Sequence, residues 1–177
     1  MADQSEIINI LNQSQSRQTV DKAITWVGKS PIRFKLVIHL MSEHSDITIR
    51  NRAAWAISYI VEVHPELMNP YWGIIVKELV NEVTSGPVKR NITRLLQNID
   101  IPKRYQGEII HRCFELMNNP KEEIAVRAFS MTVIGNLLSS YPELSNELRL
   151  GIEELLPHAS AGLKNRAGKI LKKLIRE

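Results

Sequence analysis

The sequence predicts an all-α fold, an α-solenoid of about ten antiparallel helices paired into four to five hairpins. Three observations predict it. A short sequence pattern recurs with a period of 36 to 39 residues, proline and polar clusters separate helix-length segments, and no run of β-branched residues alternates as in a strand. Self-similarity at such a period is typical of repeat proteins, in which each unit buries its apolar face against the next.

The repeated pattern is aliphatic-x-x-Arg-Ala. Its copies begin 39, 36 and 39 positions apart, and the second copy is degenerate. The four copies are Ile49-x-x-Arg52-Ala53, Val88-x-x-Asn91-Ile92, Ile124-x-x-Arg127-Ala128 and Leu163-x-x-Arg166-Ala167.

The helix boundaries follow from proline and from apolar periodicity. A proline stands where each of four helices is expected to begin, because its fixed φ suits a first turn that needs no N–H donor. These prolines are Pro31, Pro87, Pro102 and Pro120. The predicted helices, in order, are 4–13, 17–28, 31–43, 47–63, 67–83, 86–99, 103–118, 121–139, 143–157 and 160–176. The connections are short, so successive helices are expected to be antiparallel neighbours.

Each predicted hairpin pairs two apolar stripes. The first two helices are expected to form a diverged hairpin that caps the stack. The second helices of later hairpins carry stripes at helical spacing, and small residues one turn into each stripe allow close packing. Those stripes are Ile49, Ala53, Ala56, Ile57, Ile60 and His64; Ile124, Ala128, Met131, Thr132 and Gly135; and Leu163, Ala167, Ile170, Leu171 and Leu174. The first helices supply the opposing wall, for example Leu36 and Leu40, Ile75 and Val83, Ile109 and Cys113, or Leu148 and Ile152.

The sequence resembles the HEAT-repeat family. The resemblance lies in an apolar helix, a short polar turn and a second helix with the arginine pattern, over residues 40–54 and again over 116–128. It covers residues 31–177, with 1–30 as the cap of a single domain spanning 1–177. It implies a right-handed α-α superhelix, armadillo-like in architecture. The chain is also similar to short bacterial HEAT-like proteins, a likeness that implies no activity.

A weaker sequence similarity relates alternate repeat units. Pro65-Glu66-Leu67 and Pro142-Glu143-Leu144 are 77 positions apart. This spacing indicates that units two repeats apart are the closer relatives.

The composition of the chain excludes several classes of protein. The chain begins with neither a basic n-region nor an apolar segment, and it holds no apolar run of membrane-spanning length. We therefore expect a cytoplasmic protein without membrane partners. The lone cysteine, Cys113, excludes an intrachain disulfide. The pairs His111 with Cys113 and His39 with His44 match no zinc signature, so we expect no metal and no cofactor.

No catalytic motif is present in the sequence, and aspartate occurs at only four positions. We therefore expect no enzyme; a catalytic site in this chain would need polar groups gathered from separate repeats.

The repeated arginines have two interpretations. In the family that the chain resembles, the equivalent arginine ties the helix start to acidic or carbonyl groups of the neighbouring turn. Asp46, Glu122 and Glu123 lie just upstream of these arginines. The alternative is a row of arginines, with Arg90 and Arg94 between the repeats, that binds a partner. The structural interpretation is the favoured one.

The C-terminal segment 160–177 holds six basic residues against Glu177 alone. Such a helix is either a solvated cap or a phosphate-binding surface, and the cap is the favoured interpretation. The basic residues are Lys164, Arg166, Lys169, Lys172, Lys173 and Arg176.

Trp55 and Tyr59 lie beside the core stripe of helix 47–63, and the repeat does not explain them. Aromatic residues beside arginine are typical of protein-binding hot spots. The alternative is that Trp55 packs under Trp26 or Trp72 in the core.

Three functions follow as hypotheses. The leading one is a non-catalytic protein-interaction scaffold whose concave face carries Arg52, Trp55, Tyr59, Arg94 and Arg127. The second is a nucleic-acid binder that uses Arg90, Arg94, Lys103, Arg104 and the C-terminal lysines. The third is a repair enzyme similar to the HEAT-like DNA glycosylases for alkylated bases, for which Trp55 fits but no aspartate in the middle repeats joins it.

Overall fold

A computed structural model describes residues 2–174 of the 177-residue chain. Within that range there are ten α-helices and no β-strand, which confirms the all-α prediction. The helices are α1 Ala2–Asn12, α2 Arg17–Val27, α3 Pro31–Glu43, α4 Ile47–Val63, α5 Trp72–Val80, α6 Gly86–Leu96, α7 Lys103–Asn118, α8 Ile124–Leu137, α9 Ser145–Leu155 and α10 Ala161–Leu174. None of these helices is long and apolar enough to cross a membrane.

One predicted helix is wrong in both its start and its end. Instead of a helix over 67–83, a 3₁₀ segment covers Pro65–Tyr71 and α5 covers Trp72–Val80. Pro70 lies inside the 3₁₀ segment and has no N–H to donate to an α-helical bond. Val83, predicted to face the core, follows the end of α5 and is 88% exposed.

Local capping explains why several helices begin and end where they do. The side chains of Ser16, Ser30 and Asp46 accept hydrogen bonds from backbone N–H groups in the first turns of α2, α3 and α4. The hydrogen bond from the Thr48 N–H to Asp46 lowers the pKa of that carboxyl. Gly28 ends α2 with φ of 51°, a conformation that favours glycine.

The helices group into two compact units, residues 1–99 and 100–177. In the first unit, α2, α4 and α6 form one layer, with α4 contacting both of the others. In the other layer α1 contacts α3, and α3 contacts the 3₁₀ segment that leads into α5. The core between the layers includes Phe34, Ile57 and Trp72. We call the surface of α2, α4 and α6 the α2–α4–α6 face.

In the second unit, α7 pairs with α8, α9 pairs with α10, and α8 contacts α10. The helices α7 and α9 approach closely at Gly151. A Cβ atom added there would lie 2.8 Å from the Met117 Cε atom, so any side chain at this position would require the Met117 methyl group to move. Cys113, Met131 and Ile152 are fully buried in this unit.

The structure corrects the register of the repeat. Ile124, which the aliphatic-x-x-Arg-Ala pattern placed in the core stripe, is 53% exposed, whereas Val126 is fully buried. Ile49 and Val126 therefore occupy equivalent positions, and they are 77 residues apart, like the two Pro-Glu-Leu segments. Each is followed by an arginine, Arg50 and Arg127, so the equivalent of Arg127 is Arg50 and not Arg52.

Candidate partner-binding face

The repeated arginine holds adjacent helices of a hairpin together. The Nε atom of Arg50 donates to the Met41 carbonyl oxygen at 2.8 Å, and Nε of Arg127 donates to the Met117 carbonyl oxygen at 3.0 Å. Both carbonyls lie near the C-terminal end of the preceding helix, where carbonyl groups lack helical partners. Arg127, predicted as a partner-binding residue, thus has a scaffold contact. The sequence analysis missed the corresponding role of Arg50 because of the register error.

Arg50 also connects α4 to α5. Its Nη2 atom lies 3.0 Å from Oε2 of Glu78, a side chain that is only 8% exposed. The hydroxyl of Thr84 donates to the same carboxylate oxygen at 3.2 Å. This buried network fixes the start of α4 against the next hairpin.

Arg52 contacts the N-terminal hairpin. Its Nη1 atom donates to the Leu11 carbonyl oxygen at 2.9 Å and lies 3.4 Å from Oδ1 of Asn12. Both contacts are made by Nη1 alone. The guanidinium of Arg52 is therefore anchored at one end on the α2–α4–α6 face.

Tyr59 lies between two guanidinium groups. The Cζ atom of Arg17 is 4.3 Å from the centroid of the Tyr59 ring, and the Cζ atom of Arg94 is 3.8 Å from it. Arg17 pairs with Asp21 at 2.8 Å, and Arg94 pairs with Glu62 at 2.7 Å. The stack joins all three helices of the face, one arginine coming from α2 and the other from α6.

Trp55 extends this stack along α4. Its ring meets that of Tyr59 edge to face, with centroids 6.3 Å apart. Both side chains are half-buried, whereas Trp26 and Trp72 are buried in the core. Part of Trp55 is therefore exposed on the α2–α4–α6 face. The structure does not place Trp55 in the core under another tryptophan.

A cleft of about 180 Å³ opens beside Trp55, near the first turns of α4 and α6. Among the residues that the structure describes, no carboxylate lines this cleft. Its walls include Gln15, Asn51, Arg52, Trp55, Arg90 and Asn91. The Asn51 carbonyl oxygen accepts a bond from the Ser85 hydroxyl at 2.7 Å, and the Asn91 amide donates to the Pro87 carbonyl at 2.8 Å, so both amides have fixed orientations.

The corresponding face of the second unit lacks aromatic residues at these positions. Residues 77 positions after Trp55 and Tyr59 are Thr132 and Asn136. They line a cleft of about 220 Å³ with Ile170 and Leu174 of α10. Arg166 of α10 donates to the Thr132 hydroxyl at 3.2 Å, a contact between two helices rather than with solvent.

The predicted basic residues are placed as follows. Lys164, Lys169 and Lys172 are exposed on α10, while the Lys173 side chain and Arg176 lie outside the described residues. Lys103 and Arg104 are exposed in the first turn of α7, and Arg104 lies over the Tyr105 ring at 4.7 Å.

The cysteine and the histidines of the two predicted pairs lie in different environments. Burial raises the pKa of Cys113 to about 12, which keeps its thiol protonated. The exposed His111 lies 3.4 Å from Glu115, and His39 lies 2.9 Å from Glu43. Among the described residues, no three His, Cys, Asp or Glu side chains are grouped as metal ligands.

The layered hairpins and their repeated arginine contacts define an all-α repeat protein. A comparison with protein families matches residues 7–174 to the HEAT repeat domain, so the chain belongs to the HEAT-repeat family. The match includes most of α1 and all of α2. No curated protein and no solved structure matches the chain.

Proposed function

We propose that this chain is a non-catalytic scaffold that binds a partner protein through the α2–α4–α6 face of residues 1–99. The observation that carries the proposal is the half-exposed pair Trp55 and Tyr59, in which Trp55 meets Tyr59 edge to face and Arg17 and Arg94 contact the Tyr59 ring. Trp, Tyr and Arg are the residue types that contribute most to protein-binding hot spots. HEAT repeats generally mediate protein interactions, which agrees with this role.

The arrangement is suited to binding because it is already ordered. Arg94 is fixed by Ser58 through bonds of 3.0 and 3.2 Å and by Glu62, and these contacts hold its guanidinium over Tyr59. A rigid aromatic surface loses little conformational entropy when a partner binds. The same positions in the second unit are Thr132 and Asn136, so the aromatic residues are not required by the repeat itself.

The experiment is affinity capture from an extract of the source cells with wild type, Trp55→Ala and Tyr59→Ala. We expect at least one protein that wild type captures to be lost from both variants. Lys35→Gln is the matched control, because Lys35 is exposed on α3 in the other layer of the same unit. Circular dichroism establishes that each variant is folded at the temperature of the assay.

The proposal is overturned if both folded alanine variants capture the same proteins as wild type. It is also overturned if Lys35→Gln loses the partner and the alanine variants retain it, since the partner would then bind the opposite layer.

A further inference from the structure

We propose that the cleft beside Trp55 binds the terminal amide of an asparagine or glutamine side chain on the partner protein. This inference rests on the proposed function, because the cleft is part of the α2–α4–α6 face. It adds the chemical class of the group that the face recognises, and it assigns Asn51 and Asn91 as the residues that recognise it.

Asn91 supplies a hydrogen-bond acceptor to the cleft. It lines the cleft although only 3% of the residue is exposed. Its Nδ2 atom donates to the Pro87 carbonyl oxygen at 2.8 Å, and its Oδ1 atom has no donor within residues 2–174. In that range the side-chain polar atoms that are both fully buried and unpartnered are Trp26 Nε1 and Ser130 Oγ, so Oδ1 of Asn91 reaches the surface of the cleft.

Asn51 supplies a hydrogen-bond donor to the same cleft. Its Oδ1 atom accepts from the Ser85 hydroxyl at 2.7 Å, and its Nδ2 atom has no acceptor in the described part of the chain. Asn51 belongs to α4 and Asn91 to α6, so two adjacent helices present one donor and one acceptor. Because each side chain is already held by its other bond, binding a ligand orders little that is not ordered already.

A ligand that fills the cleft has to satisfy both groups. A polar group that loses water without gaining a hydrogen bond costs free energy, so an aliphatic side chain is disfavoured. A carboxylate accepts from Asn51 but has no proton to donate to Asn91, and an ammonium group has no acceptor. The terminal amide of asparagine or glutamine carries a donor and an acceptor on one carbon, so it satisfies both.

The rest of the cleft agrees with an uncharged side chain. Arg52, whose Nη1 atom donates to the Leu11 carbonyl oxygen, lies in the same wall and disfavours a lysine or arginine of the partner. The Trp55 ring provides an apolar surface for the methylene groups that carry the amide. A volume of about 180 Å³ corresponds to on the order of six water molecules, which is enough for one side chain and too small for a helix.

The test titrates the full chain with three pools of short peptides that are blocked at both ends. All pools contain the same aromatic and aliphatic residues at random positions, and they differ at one position, which holds Asn or Gln, Leu or Met, or Asp or Glu. Fluorescence anisotropy measures affinity, and the NMR signals of the side-chain NH₂ groups of Asn51 and Asn91 report where the peptides bind. We expect the amide pool to bind about tenfold more tightly than either other pool, from two added hydrogen bonds, and to shift both signals.

Asn91→Thr assigns the preference to the cleft. On the same helix the Thr93 hydroxyl donates to the Lys89 carbonyl oxygen, four residues earlier, at 2.9 Å. A threonine at position 91 can therefore keep the bond to Pro87 while it removes the amide oxygen. We expect this variant to lose most of the preference for the amide pool over the aliphatic pool.

The matched control is Asn98→Thr. Asn98 also donates to a carbonyl oxygen four residues earlier, that of Arg94, but it is exposed beyond the C-terminal end of α6, whereas the cleft lies at the N-terminal end. The same substitution there should leave the preference unchanged.

Two results overturn the inference. If the amide pool binds wild type no more tightly than the aliphatic pool, or does not bind, the cleft does not recognise an amide. If the acidic pool binds more tightly than the amide pool, the cleft selects charge instead. Either result leaves the proposed function to the capture experiment with the Trp55 and Tyr59 variants. The comparison of pools on wild type needs no variant, so it decides the question even if Asn91→Thr does not fold.

Discussion

Arg50 and Glu78 form an ion pair between successive hairpins, with Nη2 and Oε2 3.0 Å apart and Glu78 almost fully buried. The residues are 28 positions apart in the sequence, and the pair links α4 to α5. Removing one member of a buried pair leaves a charge without compensation, which costs more than the pair itself contributes.

The first prediction follows from this pair. Arg50→Met should lower the free energy of unfolding by about 3 kcal/mol, because the buried Glu78 carboxylate then keeps only Thr84 as a hydrogen-bond donor within residues 2–174. The double variant Arg50→Met/Glu78→Leu should regain part of that loss. Urea unfolding measures both.

The control for this prediction is Glu153→Gln. Glu153 pairs with Arg149 at 2.8 Å, but both side chains are close to half exposed. An exposed pair of this kind contributes about 1 kcal/mol or less. Equal losses for Arg50→Met and Glu153→Gln would contradict the structural role of Arg50.

The second prediction tests the repeat register. Val126→Ala should lower the free energy of unfolding by about 2 kcal/mol, since Val126 is fully buried. Ile124→Ala removes more carbon atoms but should change stability by about 0.5 kcal/mol or less, because Ile124 is exposed. If thermal or urea unfolding shows a larger loss of stability for Ile124→Ala than for Val126→Ala, the register indicated by the sequence pattern is the correct one.

The repeat register shows which parts of the fold the sequence predicts and which it does not. The all-α class and the helical hairpins follow from periodicity and proline, which act locally. Ile124 and Arg127 match the sequence motif. Ile124 is nevertheless exposed, because it is the first residue of α8 and faces solvent there. The turn before α8, residues 119–123, is two residues longer than the turn before α4, residues 44–46. Turn length is not encoded in the motif.

The candidate site was predictable only in part. Trp55 and Tyr59 stood out because they break the repeat, and their place on α4 follows from helical spacing. The arginines that contact Tyr59 were not predictable in this way, since Arg17 is 42 positions before Tyr59 and belongs to a helix that was interpreted as a cap. Contacts between neighbouring helices depend on how those helices pack against each other, which the spacing of residues along the sequence does not contain.

The third prediction concerns Cys113. With a pKa of about 12 in the folded chain, its thiol should stay unreactive toward a thiol reagent at mildly alkaline pH and react fully in denaturant. The unfolded thiol has its ordinary pKa of 9.0, so the contribution of the buried thiol to stability is present below that pH and is lost between there and about 12.

Cys113→Ala isolates this effect. Its unfolding free energy should fall less steeply than that of wild type as pH rises above 9.0 toward about 12. Fast reaction of the native thiol, at the rate of the unfolded chain, would mean that Cys113 is not buried as the structure places it.

The fourth prediction concerns the Tyr59 stack. Tyr59→Leu removes the ring that Arg17 and Arg94 contact and should lower stability by about 1 kcal/mol, while Tyr59→Phe retains the ring and should change it less. Thermal unfolding monitored by circular dichroism compares the two. A complete loss of folding in Tyr59→Leu would assign Tyr59 to the core and remove the main support for the binding face.

The central claim is that a partner protein lies on the α2–α4–α6 face, and site-specific photo-cross-linking tests it most directly. A benzophenone amino acid at Gln15 or Thr48, both exposed and lining the cleft, should form a covalent adduct with the partner. The same group at Lys35 or Lys77, exposed on α3 and α5 of the other layer, should form none. Adducts from Lys35 or Lys77 without adducts from Gln15 or Thr48 would place the partner on the opposite layer and contradict the claim.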